Sequence, residues 1–337
     1  MLVDPQFFNK SLLQLSICIP TFNRGLYLHQ TIASIVRQPA FYEGNLVEIV
    51  VTDNFSQDST HDVCNKFLQL YPGKFIYHRE LNPIHAAFNC RNALNLASGR
   101  FLKINNDTLI HEANSLDYIL NALYDSCNSV SSNIKVTPFF SIGILSIVSS
   151  SPVLCSSMSE FLRLTNGLST YIGAFGVWRE EFHHIQDLLP DIAWENRFGH
   201  VDILFRLFEL GYSFSVYNEK IGCINKPVNH GGYDMGEVMI GEYLRLCRRS
   251  FSIGLIDKNS FFREVRRTIL VTLSWYNNQI IYPDLYSYQF VKLFDRIRDV
   301  CVGNYVLLLQ SYLHQRLDYL LKFVRKFLKS FLLKLLP

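Results

Sequence analysis

Gly99-Arg-Phe-Leu-Lys-Ile-Asn-Asn-Asp-Thr-Leu-Ile110 joins a short apolar run, Phe101 to Ile104 with Lys103 as its one polar member, to the polar triplet Asn105-Asn106-Asp107. The run is short enough for a buried strand, and the triplet falls where that strand would end. In an open α/β sheet ligands sit at the carboxyl ends of the strands, so a polar triplet there is placed to hold one. Taken alone it reads first as a tight turn, because Asn and Asp side chains bond their own backbone. The chain upstream shifts that balance.

Strand and helix patterns alternate four times between Leu15 and Asp107. Leu15 to Ile19 predicts a strand, broken by Pro20-Thr-Phe-Asn-Arg-Gly25, and a helix follows over Leu26 to Val36 with Leu28, Ile32 and Ile35 on one face. Leu46 to Val51 predicts a second strand, and Thr52 to Thr60 is a polar loop whose Asp58 or Ser59 can cap the next helix, stopped by Pro72-Gly73. Phe75 to His78 is a third strand, Ile84 to Ala97 a third helix, and Phe101 to Ile104 the fourth strand. Such alternation predicts a parallel sheet covered by helices on both faces. Three polar clusters would then share one sheet edge: Thr21/Asn23/Arg24, Asp53/Asn54 and Asn105/Asn106/Asp107. There is no GxGxxG after the first strand and no GxxxxGK[ST], so the ligand must be held by side chains rather than a glycine cradle.

Ser16-Ile-Cys-Ile-Pro-Thr-Phe-Asn-Arg24, then Glu48-Ile-Val-Val-Thr-Asp-Asn-Phe-Ser-Gln-Asp-Ser-Thr60, then Asn89-Cys-Arg-Asn92 leading to Ala97-Ser-Gly-Arg-Phe101, resembles the nucleotide-sugar-binding half of family 2 glycosyltransferases, nearest to the bacterial enzymes of O-antigen and capsule synthesis. The resemblance implies the GT-A fold, a Rossmann-like, mostly parallel α/β sheet, here followed by a C-terminal helical extension. It implies a hexosyltransferase-type enzyme working with inversion, a nucleotide-sugar donor, UDP-linked, and a lipid-linked saccharide acceptor. Pro20, Thr21, Asn23, Arg24, Asp53, Asn54, Arg91, Asn105 and Asn106 would then lie at the nucleotide sugar, with Asp53 accepting the imide N–H of a uracil and the arginines suiting ribose or phosphate oxygens. Asp107 matches the last acid of the family's DxD motif, which ligates a divalent cation, Mn²⁺ or Mg²⁺. The chain departs from that motif, since Asn105 stands where the family has an acid. One carboxylate can suffice where a diphosphate supplies oxygens, so both a weak, nucleotide-dependent metal site and a metal-independent enzyme follow from the pattern.

Downstream, Tyr171 to Trp178 predicts a strand whose glycines permit close backbone approach. Trp194 to Gly211 resembles the family's acceptor-side segment, in which an acid opens a helix. Asp202 is the first choice of general base and Glu195 the second, while the usual Glu-Asp pair would fall on Gly199-His200. His200 could orient the base or the acceptor. In Asn225-Lys-Pro-Val-Asn-His-Gly-Gly-Tyr-Asp234 two glycines allow a loop to close over a ligand, with Lys226 reaching the diphosphate and His230 as a further metal ligand. The expected organisation is a donor half over 1–130, an acceptor half over 131–236 and a helical region over 237–337.

That region ends in a cationic amphipathic helix over 313–336. Leu313, Leu317, Leu320, Leu321, Val324, Phe327, Leu328, Phe331 and Leu335 share one face, and Lys322, Arg325, Lys326, Lys329 and Lys334 lie mostly opposite. Such a helix can lie in the interface of an anionic membrane, or pack on the protein or a second subunit in a homo-oligomer. A net charge of +3 with no basic arm argues against nucleic acid. Eight scattered cysteines without a CxxC pair suggest reduced thiols, the first residues lack the pattern of a signal peptide, and no window of 18 uncharged apolar residues exists. The expected location is cytoplasmic, peripheral on the inner face of the cell membrane. Two rivals stand beside the transferase: an inactive homologue that binds nucleotide or acceptor for assembly, and a sugar nucleotidyltransferase, which would want a basic, Gly-rich loop that Pro20 to Gly25 lacks.

Overall fold

The computed structural model describes residues 13–128, 135–145, 151–188, 194, 196–225, 233–283, 288–301 and 305–335. The chain divides into two compact units, Met1–Lys226 and Pro227–Pro337. The first unit runs β1 (Leu15–Thr21), α1 (Gly25–Val36), α2 (Pro39–Tyr42), β2 (Val47–Asp53), α3 (Thr60–Leu70), β3 (Phe75–Arg79), α4 (Ala86–Leu96) and β4 (Phe101–Ile104). It continues through β5 (Leu109–His111), α5 (Ser115–Asn128), β6 (Val136–Phe140), β7 (Val153–Cys155), α6 (Met158–Thr165), β8 (Gly176–Trp178), α7 (Arg179–Leu188), α8 (Gly199–Glu209), β9 (Ser213–Tyr217) and β10 (Gly222–Ile224).

The main sheet has the order β3-β2-β1-β4-β8. Its first four strands are parallel and β8 runs antiparallel to β4. Every residue of β2 and all of β1 except Pro20 are buried, which is why these strands read as nearly continuous apolar runs. Leu28, Ile32 and Ile35 of α1 and Leu116, Ile119 and Leu123 of α5 have no exposed surface and join β1 and β2 in one apolar core. Each such side chain contributes about 1.5–3 kcal/mol by leaving water. Two smaller sheets complete the unit, β10-β5 and β6-β9-β7.

The segment Tyr171–Trp178 differs from its predicted strand. Only Gly176–Trp178 pairs, and Leu168–Thr170 and Ile172–Ala174 are single 3-10 turns. The Tyr171 ring folds over Gly173, where a Cβ would come within 2.6 Å of it, and buried Lys103 holds the Gly173 carbonyl through Nζ at 2.6 Å. Gly176 is needed in the paired part, because a Cβ there would meet the Phe101 ring at 2.5 Å.

The second unit is helical. A π-helical stretch, Gly236–Tyr243, runs into α9 (Leu244–Ser252), followed by α10 (Lys258–Ile281), α11 (Leu293–Val300) and α12 (Tyr305–Leu335). Asp257 caps α10 by accepting the Ser260 N–H at 2.9 Å. Inside the unit the Tyr243 hydroxyl donates to Glu264 at 2.7 Å, and Arg267 pairs with the same carboxylate at 2.8 Å. Among the described residues no helix is long and apolar enough to cross a membrane, and all eight cysteines are free thiols.

Candidate active site

Because β1 to β4 are parallel, their carboxyl ends lie along one edge, and the chain reverses its direction of winding between β1 and β4. The crevice outside such a reversal is where open α/β sheets bind ligands. Thr21, Asp53 and Arg79 are register neighbours across the ends of β1, β2 and β3. Thr21 and Asp107 meet there although 86 residues separate them: Thr21 Oγ1 donates to Asp107 Oδ2 at 2.9 Å, and Arg24 Nη1 donates to Oδ1 at 3.1 Å. Thr31 Oγ1 fixes the Asp107 carbonyl at 2.9 Å. Burial pushes the Asp107 carboxyl up from the usual carboxylate range, and the Arg24 cation and the Thr21 bond oppose it. The result is a recessed carboxylate with a cation beside it.

Of the polar triplet, only Asp107 takes part in this cluster. Asn105 is fully buried, and its Oδ1 accepts from His111 Nε2 at 2.9 Å. His111 Nδ1 lies 2.9 Å from Ser115 Oγ, which in turn bonds Gln38. Burial, with a smaller contribution from Lys103, pushes the His111 pKa down to about 3, so the ring is neutral and donates through only one nitrogen. Asn106 Oδ1 closes the turn by accepting from Thr108 N at 3.1 Å and Thr108 Oγ1 at 2.7 Å.

Asp53 is fully buried at the end of β2, with Oδ1 on the Ser56 N–H at 2.9 Å and Oδ2 on the Tyr77 hydroxyl at 3.0 Å. Arg79 Nε lies 3.6 Å from the same Oδ2, and its guanidinium sits over the Phe55 ring. Asn23, at φ 51°, donates its N–H to Ser56 Oγ and accepts the Gln57 N–H on its Oδ1, both at 2.8 Å. Asn54 bonds the Ile84 backbone in both directions at 2.8 Å. These two asparagines fasten the loops after β1, β2 and β3 together, while half-buried Pro20 pairs with Thr52 inside the sheet. Arg91 lines a cavity of about 340 Å³ with Glu80, Ile84, Phe88 and Asn92, its guanidinium 5.8 Å from the Phe88 ring centre.

The wall beside β4 is the segment 168–175. Ile104 N donates to the Phe175 carbonyl at 3.1 Å, and Lys103 Nζ to Gly173. Lys103 is fully buried, and burial, partly opposed by Cys18, brings its pKa down to about 7. The Tyr171 hydroxyl is buried without a hydrogen-bond partner, and its phenol is pushed up by burial and by the charge of Asp107. His200, at the start of α8, bonds the Thr170 backbone and lies edge-on to Phe175 with ring centres 6.0 Å apart. Burial pushes its pKa down to about 4, and its Nε2 is also buried without a partner. Asp202 lies in the first turn of α8, nearly buried, with Oδ1 3.6 Å from Arg206 Nε one turn on.

Thr21, Arg24 and Asp107 are thus in direct contact, and Asp53, Asn54 and Asn23 occupy the adjoining loops. Glu195, Lys226 and His230 lie outside the described residues, and among the described residues no group of three or more His, Cys, Asp or Glu could hold a metal ion. Sequence reasoning did not single out Thr31, Tyr77, Arg79 or His111, none of which stands in a recognisable motif. Lys103 did carry a signal, as the one charged residue in an apolar strand.

Residues 16–138 match the family model described as Glycosyl transferase family 2. The Minor teichoic acid biosynthesis protein GgaB of Bacillus subtilis is 27% identical over 127 residues, which is 37% of this chain and 13% of that protein. The chain therefore matches only a small part of the length of such relatives. Among solved structures, S. aureus TarS 1-349 in complex with UDP-GlcNAc superposes with a TM-score of 0.53 at 12% identity, covering 92% of this chain and 89% of that one. The mannosyltransferase PcManGT from Pyrobaculum calidifontis, in complex with GDP-Man and Mn²⁺, gives a TM-score of 0.52 at 12% identity, covering 94% and 88%. Both likenesses concern the fold. Residues 16–138 are thus similar to the family 2 glycosyltransferases, and the chain shares the GT-A fold of these solved structures.

Proposed function

We propose that this protein transfers a hexose, with inversion, from a UDP-linked donor to a lipid-linked saccharide during synthesis of a surface polymer. The observation that carries the reading is the contact of Thr21, Arg24 and Asp107 at the reversal point of the sheet. The naming of GgaB as a teichoic acid biosynthesis protein and the UDP-GlcNAc held by TarS support the substrate class. In this reading residues 1–130 hold the donor and residues 131–236 the acceptor. Asp53 and Thr21 meet the base, and Asn54, Asn23 and Pro20 shape the loops around it. Arg24 and Arg91 serve ribose and phosphate oxygens, for which a guanidinium fork is suited.

The metal fits on one condition. Asp107 offers a single carboxylate already neutralised by Arg24, so it would hold Mn²⁺ or Mg²⁺ only together with oxygens of the donor's diphosphate. When bound, the ion supplies positive charge for the departing diphosphate. Arg24, whose side chain is 28% exposed, moves from Asp107 toward the phosphates. Asp202 takes the proton of the acceptor hydroxyl as that oxygen attacks the anomeric carbon. Lys226 and His230 remain further candidates for the diphosphate and the metal.

Thermal shift against a panel of nucleotide sugars, with and without Mn²⁺, tests the reading. A ligand at 100 times its dissociation constant adds about 2.7 kcal/mol, and the expected result is a shift with UDP compounds that Mn²⁺ enlarges. No shift with any nucleotide would refute it. A second reading, a binding protein without turnover, is favoured by one observation: Asn105 faces His111 and leaves Asp107 as the one carboxylate of the triplet after β4. UDP binding without donor consumption would select it.

A further inference from the structure

Over its described side chains, from Tyr312 to Lys326, helix α12 turns a polar row inward and an apolar row outward, the reverse of an ordinary packed amphipathic helix. Among the described residues, the side that faces α10 is bonded to it through polar side chains. Gln315 Nε2 donates to Asn277 Oδ1 at 3.1 Å, Asn277 Nδ2 donates to Asp318 at 2.8 Å, and Lys322 Nζ donates to Ser274 Oγ at 2.7 Å. Lys326 Nζ reaches the Ile281 carbonyl one turn further on. About half a turn round the helix from this stripe, Leu313, Leu317, Leu320, Leu321 and Val324 face outward, each between 44 and 61% exposed. Arg316 and Arg325 are exposed along the two flanks of that face.

An exposed apolar row of this kind marks an interaction site. Its chemistry narrows the partner. From Tyr319 to Pro337 the chain carries Lys322, Arg325, Lys326, Lys329 and Lys334 and no acidic residue, and the one nearby acid, Asp318, is turned toward Asn277 and Lys322. Two copies of this face set against each other would bring arginine against arginine, with no carboxylate to separate them. An anionic lipid surface meets both requirements, since it takes the apolar row below the headgroups and offers phosphates to the flanking cations. At 31 residues α12 is about 46 Å long, which suits a helix lying flat.

We infer that the outward face of α12 docks on an anionic membrane surface, with Leu313, Leu317, Leu320, Leu321 and Val324 entering the headgroup boundary and Arg316 and Arg325 contacting lipid phosphates. This deepens the proposed function, whose acceptor is lipid-linked. The test uses the full chain and co-sedimentation with vesicles of phosphatidylcholine containing 30% phosphatidylglycerol, against vesicles of phosphatidylcholine alone. Binding is expected to the anionic vesicles and to weaken with salt. The double variant Arg316→Gln, Arg325→Gln is expected to weaken it about 30-fold, and the triple variant Leu317→Ser, Leu320→Ser, Val324→Ser to abolish it. None of these five side chains lies in the stripe that packs on α10, so far-UV circular dichroism and thermal unfolding are expected to be unchanged. Equal binding to both vesicle types, or binding retained by the triple variant, would overturn the inference. So would a lipid-free dimer in analytical ultracentrifugation that the triple variant dissolves. The UDP thermal shift separates the two proposals: lost vesicle binding with intact UDP binding removes this inference alone, and absent UDP binding with intact vesicle binding removes the transferase reading alone.

Discussion

Replacing Asp107 by Asn removes the carboxylate that Thr21 and Arg24 both contact. The amide keeps the shape, and its oxygen can still accept the Thr21 hydroxyl that now donates at 2.9 Å. The lost interaction is the charge-assisted bond from Arg24 at 3.1 Å. Against that loss stands a gain, because burial disfavours the Asp107 anion and a neutral amide escapes the penalty. Arg24, 28% exposed, can rehydrate, so the net change in stability is expected to stay within about 1 kcal/mol. The effect on ligand binding is of another size. A metal held jointly by Asp107 and a diphosphate couples the two ligands by about 1–3 kcal/mol, or roughly 5- to 150-fold in affinity. Isothermal titration of UDP with and without Mn²⁺ reads this coupling directly. Mn²⁺ is expected to tighten UDP binding at least about tenfold in the wild type and less than about twofold in Asp107→Asn. A variant that keeps the full Mn²⁺ effect would refute the assignment of Asp107 to the metal.

Two further substitutions test the buried parts of the site. Asn105→Asp restores the acid of the family motif, but that side chain is fully buried and faces His111, so Mn²⁺ affinity is expected to change less than about twofold while stability falls by about 1–3 kcal/mol; Mn²⁺ bound ten times more tightly would contradict the inward orientation. Lys103 has a folded pKa of about 7 against an ordinary 10.5, so between these values the unfolded chain binds the extra proton and the wild type gains stability as pH rises. Relative to Lys103→Met the gain is about 1.4 kcal/mol per pH unit between about pH 7.5 and 10, fully lost below pH 7, and parallel pH profiles in urea unfolding would refute it.

The sheet was legible because strands buried on both faces carry few polar residues, and in β1, β2 and β4 these are Ser16, Glu48 and Lys103 within the strands and Thr21, Thr52 and Asp53 at their carboxyl ends. Ser16 and Glu48 satisfy each other at 2.6 Å, a pairing across 32 residues that no spacing rule reveals. Convergence of Thr21 and Asp107 followed from parallel topology alone. The inward turn of Asn105 did not, since its partners His111, Ser115 and Gln38 come from β5, α5 and the α1–α2 connection. Tyr171–Trp178 has strand composition, yet a tertiary bond from Lys103 and the folded Tyr171 ring give it turns. For α12 the amphipathic period was clear in the sequence, but which face packs was not. Periodicity locates an apolar row without saying that the opposite row carries matched donors and acceptors for α10.

In the proposed reaction a nucleotide sugar is bound at the β1/β4 edge and consumed with the help of a base at the start of α8. Release of UDP from nucleotide-sugar donors, measured with Mn²⁺ and a lipid-linked acceptor for the wild type and Asp202→Asn, tests it most directly. Expected are turnover of at least one donor by the wild type, a fall of about 10²–10⁴-fold in Asp202→Asn, and an unchanged UDP dissociation constant in that variant. UDP binding with no donor consumed by the wild type, or undiminished turnover by Asp202→Asn, would contradict it.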